Sequence, residues 1–117
     1  MAAPTIQDVF GTNSAVLSAT GSVTVASGDE VLIIRKSDFA DWTTAPGSKP
    51  ERWLAEILKK ITAFDATDTT EVPDFECSLA TRTLATRNSV DKIGFVYQAI
   101  IYQTATGLAS APDADLV

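Results

Sequence analysis

Two long segments in the second half of the chain alternate as β-strands do, and they constrain the fold more than any other feature. Residues 75–87 and 92–104 are separated only by Asn88-Ser89-Val90-Asp91. Two strand-like runs joined by so short a polar segment predict a β-hairpin. Within the first run, the repeat ATRTLATRN brings Arg82 back as Arg87 at an odd spacing. In a regular strand these two arginines therefore lie on opposite faces.

The pairing of the two strands decides which side chains share a face. If Arg87 pairs with Lys92, one face carries Phe75, Cys77, Leu79, Val96, Ile100 and Tyr102. The opposite face then carries Ala80, Arg82, Leu84, Ile93, Phe95, Tyr97 and Ile101. A slip of one residue inverts every assignment, and a bulge near Leu84 would place both arginines on one side. In the expected register both faces are apolar.

Helical periodicity predicts one main helix, over residues 50–63. Ser48, Pro50 and Glu51 form a capping-box start. The apolar residues then recur at helical spacing, as Trp53, Leu54, Ile57, Leu58 and Ile61. A shorter helix is predicted over residues 5–10, with Thr5 as its cap and Asp8 as the acid that completes the box.

The residues between these helices predict short strands and one helical turn. Residues 22–26 alternate around two valines, and Val31-Leu32-Ile33-Ile34 is a β-branched apolar run typical of a buried strand. Residues 37–42 predict a single helical turn with Phe39 or Trp42 turned inward.

Together these elements predict an α+β fold in which a small antiparallel sheet, built on a C-terminal hairpin, packs against one amphipathic helix. We expect one domain over residues 1–104, extended terminal segments, and an extended tail over residues 105–117. One helix covers only one face of the sheet. Either a second layer from residues 22–36 or another chain must cover the other face.

An aromatic strand with an arginine in its midst suits the core of a protein–protein interface. An extended tail can add to a neighbour's sheet or lie in its groove. The candidate interface residues are Arg82, Leu84, Phe95, Tyr97 and Ile101 on the hairpin, with Pro112 and Asp113 in the tail.

The composition argues against catalysis, metal binding and nucleic-acid binding. The chain has no histidine and one cysteine, Cys77, so the usual nucleophile–base pairs and a zinc site lack their residues. Asp113 and Asp115 are only a fragment of a calcium-loop pattern. We expect no catalytic residue, no metal and no cofactor. The net charge of −6 disfavours nucleic acid, and no apolar run is long enough for a membrane span.

The plan of the chain resembles small virion proteins of tailed phages, namely capsid cement or decoration proteins of cyanophage type. The segments that carry this resemblance are residues 50–58, Leu79–Arg87 leading into Phe95–Tyr102, and residues 111–115. The resemblance implies a non-enzymatic protein that is made in the host cytoplasm and resides in the virion. It would form a homo-oligomer, with a trimer favoured, and would staple a major capsid protein or a neighbouring virion protein.

Two other functions remain open from the sequence. A phage neck, tail or baseplate component would use the same hairpin to build a ring. A small carbohydrate-binding module would use Trp42, Tyr97 or Tyr102 as a stacking platform for a sugar.

Overall fold

The fold is α+β, as predicted: one main helix and a two-stranded antiparallel sheet formed by the C-terminal hairpin. A computed structural model describes residues 3–17, 20–67, 74–105 and 110–117. The helices and strands are α1 (Ile6–Phe10), α2 (Pro50–Thr67), β1 (Phe75–Arg87) and β2 (Val90–Ile101), with 3₁₀ turns at Lys36–Asp38 and Ala114–Leu116. The chain divides into two compact units, residues 1–57 and 58–117. Within the described ranges, no helix is long and apolar enough to cross a membrane.

Helix α1 begins at the capping box that the sequence predicts. The Asp8 N–H donates to the Thr5 hydroxyl at 3.1 Å, and the Thr5 N–H donates to the Asp8 carboxylate at 2.9 Å. Both hydrogen bonds satisfy donors that a helix start leaves unpaired. The bond from the Thr5 backbone also stabilises the ionised carboxylate and therefore lowers the pKa of Asp8.

The first unit is held by a small aromatic cluster around Trp42. The indole rings of Trp42 and Trp53 meet edge to face with centroids 4.6 Å apart, and Phe39 lies 6.3 Å from Trp42. Phe39 and Trp42 are buried, as predicted for this turn, and Pro50 is fully buried. Each indole N–H donates to a loop carbonyl, Trp42 to Ala45 at 2.6 Å and Trp53 to Gly47 at 2.8 Å. The cluster therefore buries its rings without leaving their donors unpaired.

The strands predicted at residues 22–26 and 31–34 do not form. Residues 21–35 contain no strand, and the Leu32 side chain is 84% exposed. A strand needs a neighbour for its backbone N–H and C=O groups, and the described part of the first unit offers none. The prediction of a second sheet layer from residues 22–36 is therefore wrong.

Helix α2 begins at Pro50, as predicted, but ends at Thr67 rather than at residue 63. Residues 64–67 contain no glycine or proline that would stop it. Its last turn also contacts β1: the rings of Phe64 and Phe75 lie 6.0 Å apart, and the Asp65 carboxylate accepts the Cys77 N–H at 3.4 Å. These contacts favour the additional helical turn.

The hairpin forms as predicted, in a different register. Arg87 pairs with Val90 rather than with Lys92, so the connection shortens to the two residues Asn88 and Ser89. Their φ angles of 50° and 61° are both positive, as a type I′ turn requires. The register also shifts between Leu79 and Thr81, which leaves a β-bulge at Ala80.

Candidate protein–protein interface

The bulge at Ala80 gives the hairpin one mainly apolar face and one mainly polar face. Leu79 pairs with Tyr97 before the bulge and Arg82 pairs with Phe95 after it, so alternation is reset within β1. We call the resulting side the aromatic face; it comprises Phe75, Cys77, Leu79, Arg82, Leu84, Ile93, Phe95, Tyr97, Ala99 and Ile101, and it ends at the turn with the polar pair Thr86 and Asp91. The other side, the polar face, comprises Glu76, Ser78, Thr81, Thr83, Ala85, Arg87, Val90, Lys92, Gly94, Val96, Gln98 and Ile100.

This arrangement corrects the predicted faces in part. The prediction that Arg82, Leu84, Phe95, Tyr97 and Ile101 share a face is consistent with the register, and so is the placing of Arg87 opposite to Arg82. The prediction that Phe75, Cys77 and Leu79 lie on the other face is wrong, because the bulge precedes Arg82 and adds one residue to β1. The bulge lies outside the segment between the two arginines, so it does not bring them together.

Helix α2 covers the aromatic face at the open end of the hairpin. The Thr62 hydroxyl lies 3.3 Å from the Cys77 thiol, and Cys77 is only 4% exposed. The Phe64 ring packs on Phe75 beside it. Cys77 is thus a small buried hydrophobe, which is the usual place of a free cysteine.

Towards the turn, the aromatic face is exposed to solvent; we call this part, formed by Arg82, Leu84, Ile93 and Phe95, the bare region. Leu84 is 83% exposed and Phe95 is 56% exposed, and Ile93, which pairs with Leu84, is also open to solvent. Arg82 lies across from Phe95, and its guanidinium makes no hydrogen bond or ion pair with any residue that the structure describes. The bare region therefore combines apolar side chains with one uncompensated positive charge.

The polar face has a different character. Thr83 lies opposite Gly94, where an added Cβ would stand 2.9 Å from the Thr83 hydroxyl. At the strand end, the Glu76 carboxylate lies beside the Tyr102 hydroxyl, and its negative charge raises the pKa of Tyr102. Val90, Val96 and Ile100 are the large apolar residues on this face. It is a less continuous apolar surface than the aromatic face.

The tail, where Pro112 and Asp113 are predicted interface residues, bonds to the chain just beyond β2. The Asp113 N–H donates to the Gln103 side chain at 2.8 Å, and the Asp113 carboxylate accepts the Asp115 N–H at 3.0 Å. The Thr104 N–H donates to the Leu116 carbonyl at 2.9 Å. Asp113 therefore lies beside residues 103–104, just beyond the end of β2. The 3₁₀ turn at Ala114–Leu116 is an element that the sequence patterns did not predict.

Ile93 in the bare region and Leu79, further along the aromatic face, were absent from the predicted interface set. Ile93 could have been included, because it alternates with Phe95 along β2. Leu79 could not, because its sharing a face with Arg82 depends on the bulge at Ala80, and an alanine between leucine and threonine gives no signal for a bulge.

The bare region offers a partner apolar side chains to pack against and the positive charge of Arg82. Among the described residues, no group of three histidine, cysteine, aspartate or glutamate side chains is placed to hold a metal ion. Comparison with protein-family models, with curated proteins and with solved structures finds no match to this chain.

Proposed function

We propose that this chain is a non-enzymatic structural protein of a virion, which multimerises and staples capsid subunits through its aromatic face. The observation that carries the proposal is the bare region of that face, where Leu84, Ile93 and Phe95 surround Arg82 without cover from the described part of the chain. The virion setting rests on the resemblance of the chain's plan to phage cement and decoration proteins.

The energetics of the aromatic face favour binding to another protein surface. Fully burying a leucine, isoleucine or phenylalanine side chain gains about 1.5–3 kcal/mol each, and Leu84, Ile93 and Phe95 are all largely exposed. Arginine beside aromatic rings is a common centre of binding energy in interfaces. Many copies on a symmetric lattice would then hold strongly, because each bound copy raises the effective concentration of the next contact.

The same face would also serve a neck, tail or baseplate ring. The symmetry of the assembly separates the two functions: three-fold or icosahedral packing supports a capsid protein, and six-fold packing supports a ring. The carbohydrate-binding alternative gains no support from the aromatic side chains. Trp42 is buried. Tyr97 and Tyr102 are separated by an odd number of positions along β2 and its extension, so they lie on opposite faces and do not form one platform.

The test replaces Phe95 with aspartate and uses Val96→Asp as the matched control. These neighbours are similarly exposed but lie on opposite faces of β2. We expect Phe95→Asp to abolish most self-association, because it puts a charge into the apolar contact, whereas Val96→Asp should retain it. Light scattering of the purified proteins measures the mass. Equal behaviour of the two variants would contradict the assignment of the face.

The virion setting needs its own measurement. Particles purified from cells that carry the gene can be probed with an antibody against the chain. Stoichiometric recovery with capsids is expected, and Phe95→Asp should deplete it. Particles that form without any bound copy would argue against a structural role in the virion.

A further inference from the structure

A second candidate for self-association lies in the first unit, in the segment Asp29-Glu30-Val31-Leu32-Ile33-Ile34-Arg35. It is bounded by a turn closed by the Asp29 N–H to Ala26 carbonyl bond and by the 3₁₀ turn that starts at Lys36. Leu32 and Ile33 are 84% and 65% exposed. The backbone groups of residues 31–34 make no hydrogen bond within the described part of the chain. The segment thus has the composition of a strand and no partner for it.

The charges at its two ends indicate which partner fits. Asp29 and Glu30 are acidic, whereas Arg35 and Lys36 are basic. A second copy of the segment in parallel register would place like charges side by side, which is unfavourable in a sheet. An antiparallel copy places the acidic end of each segment against the basic end of the other. The segment is therefore complementary to itself.

Symmetry then restricts the register. In an antiparallel pair related by a two-fold axis, the central residue lies opposite its own copy. If the two-fold axis passes beside Leu32, Asp29 of one copy pairs with Arg35 of the other, and Val31 pairs with Ile33. These four positions lie on one face of the paired strands. A centre at Ile33 would pair Glu30 with Lys36, but Lys36 starts the 3₁₀ turn and its ammonium lies 5.6 Å from the Trp42 ring centroid. Arg35 has extended backbone angles, φ −105° and ψ 133°.

We propose that residues 29–35 of two copies pair as antiparallel strands centred on Leu32, with Asp29 of each copy against Arg35 of the other. This contact uses residues outside the hairpin and goes beyond the proposed function of the aromatic face. It would satisfy the free backbone groups of residues 31–34 and bury part of their apolar side chains.

The test is a charge exchange between two variants, Asp29→Arg and Arg35→Asp. Each variant alone places like charges together at both ends of the pair, so its dimerisation should weaken by about tenfold or more. An equimolar mixture restores opposite charges at both ends, because the arginine introduced at position 29 of one chain meets the aspartate introduced at position 35 of the other. The mixture should therefore dimerise within about threefold of the parent chain. Analytical ultracentrifugation measures the dissociation constants.

All chains in this experiment carry Phe95→Asp, which removes association through the aromatic face and keeps the two proposals separate. Glu30→Lys is the control, because Glu30 faces Ile34 rather than a charge in the Leu32-centred register. It should remain within about threefold of the parent. Full dimerisation of Asp29→Arg alone, no gain on mixing, or equal weakening by Glu30→Lys would overturn the proposal.

Discussion

At the residue scale, Glu76 and Tyr102 form a pair at the open end of the hairpin in which one charge affects the titration of its neighbour. The negative carboxylate disfavours the phenolate, and a hydrogen bond between the two side chains acts in the same direction, so the pKa of Tyr102 is raised above its ordinary value. The raised pKa makes the pair stabilising at neutral pH. That contribution is fully present below the ordinary tyrosine pKa of about 10 and is lost as the pH rises through the raised value.

This gives a titration that can be observed directly. In a Tyr97→Phe background Tyr102 is the only tyrosine, and its phenolate absorbance should appear at higher pH than in a model peptide. Glu76→Gln should move the titration down towards the ordinary value, because it removes the nearby charge. Identical curves for the two proteins would show that Glu76 does not act on Tyr102.

At the scale of elements, the hairpin turn forms despite a residue that does not favour its conformation. Asn88 and Ser89 both have positive φ. Asparagine tolerates this region, whereas serine does so at a cost, and glycine is the preferred second residue of a type I′ turn. We therefore expect Ser89→Gly to stabilise the protein by up to about 1 kcal/mol.

Urea unfolding followed by circular dichroism measures this change, and Ser78→Gly is the control. Ser78 lies inside β1. A glycine there should lower the free energy of unfolding by roughly 0.5–1 kcal/mol, because glycine has greater conformational freedom in the unfolded chain. The two substitutions should therefore have opposite signs. A loss of stability in Ser89→Gly would contradict the turn geometry.

The elements that could be predicted from the sequence are those determined by neighbouring residues. The capping box at Thr5 and Asp8, the start of α2 at Pro50 and the hairpin itself are local patterns, and all three form. The register and the bulge at Ala80 depend on which side chains pack across the sheet, so alternation along each strand does not determine them. Residues 31–34 have a strand's composition, but a strand exists only with a partner, and composition cannot supply one.

At the scale of the whole molecule, many large apolar side chains in the described ranges are exposed, in both units. Ile6, Phe39, Trp42 and Cys77 are the buried hydrophobic residues among those described, while the bare region of the aromatic face and residues 31–34 remain open. Single chains with so small a core are marginally stable. Assembly that covers these surfaces would therefore be coupled to folding.

The coupling predicts that stability depends on protein concentration. If the folded form is a dimer or larger, each tenfold increase in concentration should add about 1.4 kcal/mol per mole of dimer to the free energy of unfolding. Thermal unfolding of the unmodified chain at several concentrations measures this, and Phe95→Asp should reduce the dependence. A midpoint that does not move with concentration would indicate a chain that is stable alone.

The extra residue in β1 also determines which side chains share a surface with the end of the hairpin that contacts α2. In regular alternation at the present strand length, Phe75, Cys77 and Leu79 would share a face with Thr81 and Thr83, and Arg82 and Leu84 would lie on the opposite face. Removing one residue between Leu79 and Arg82 would instead give a regular ladder in which Arg82 still pairs with Phe95, while Phe75 and Cys77 kept their contacts with α2. A one-codon deletion at this place would therefore preserve the aromatic face, whereas straightening β1 at its full length would change the surface that the hairpin offers to a partner.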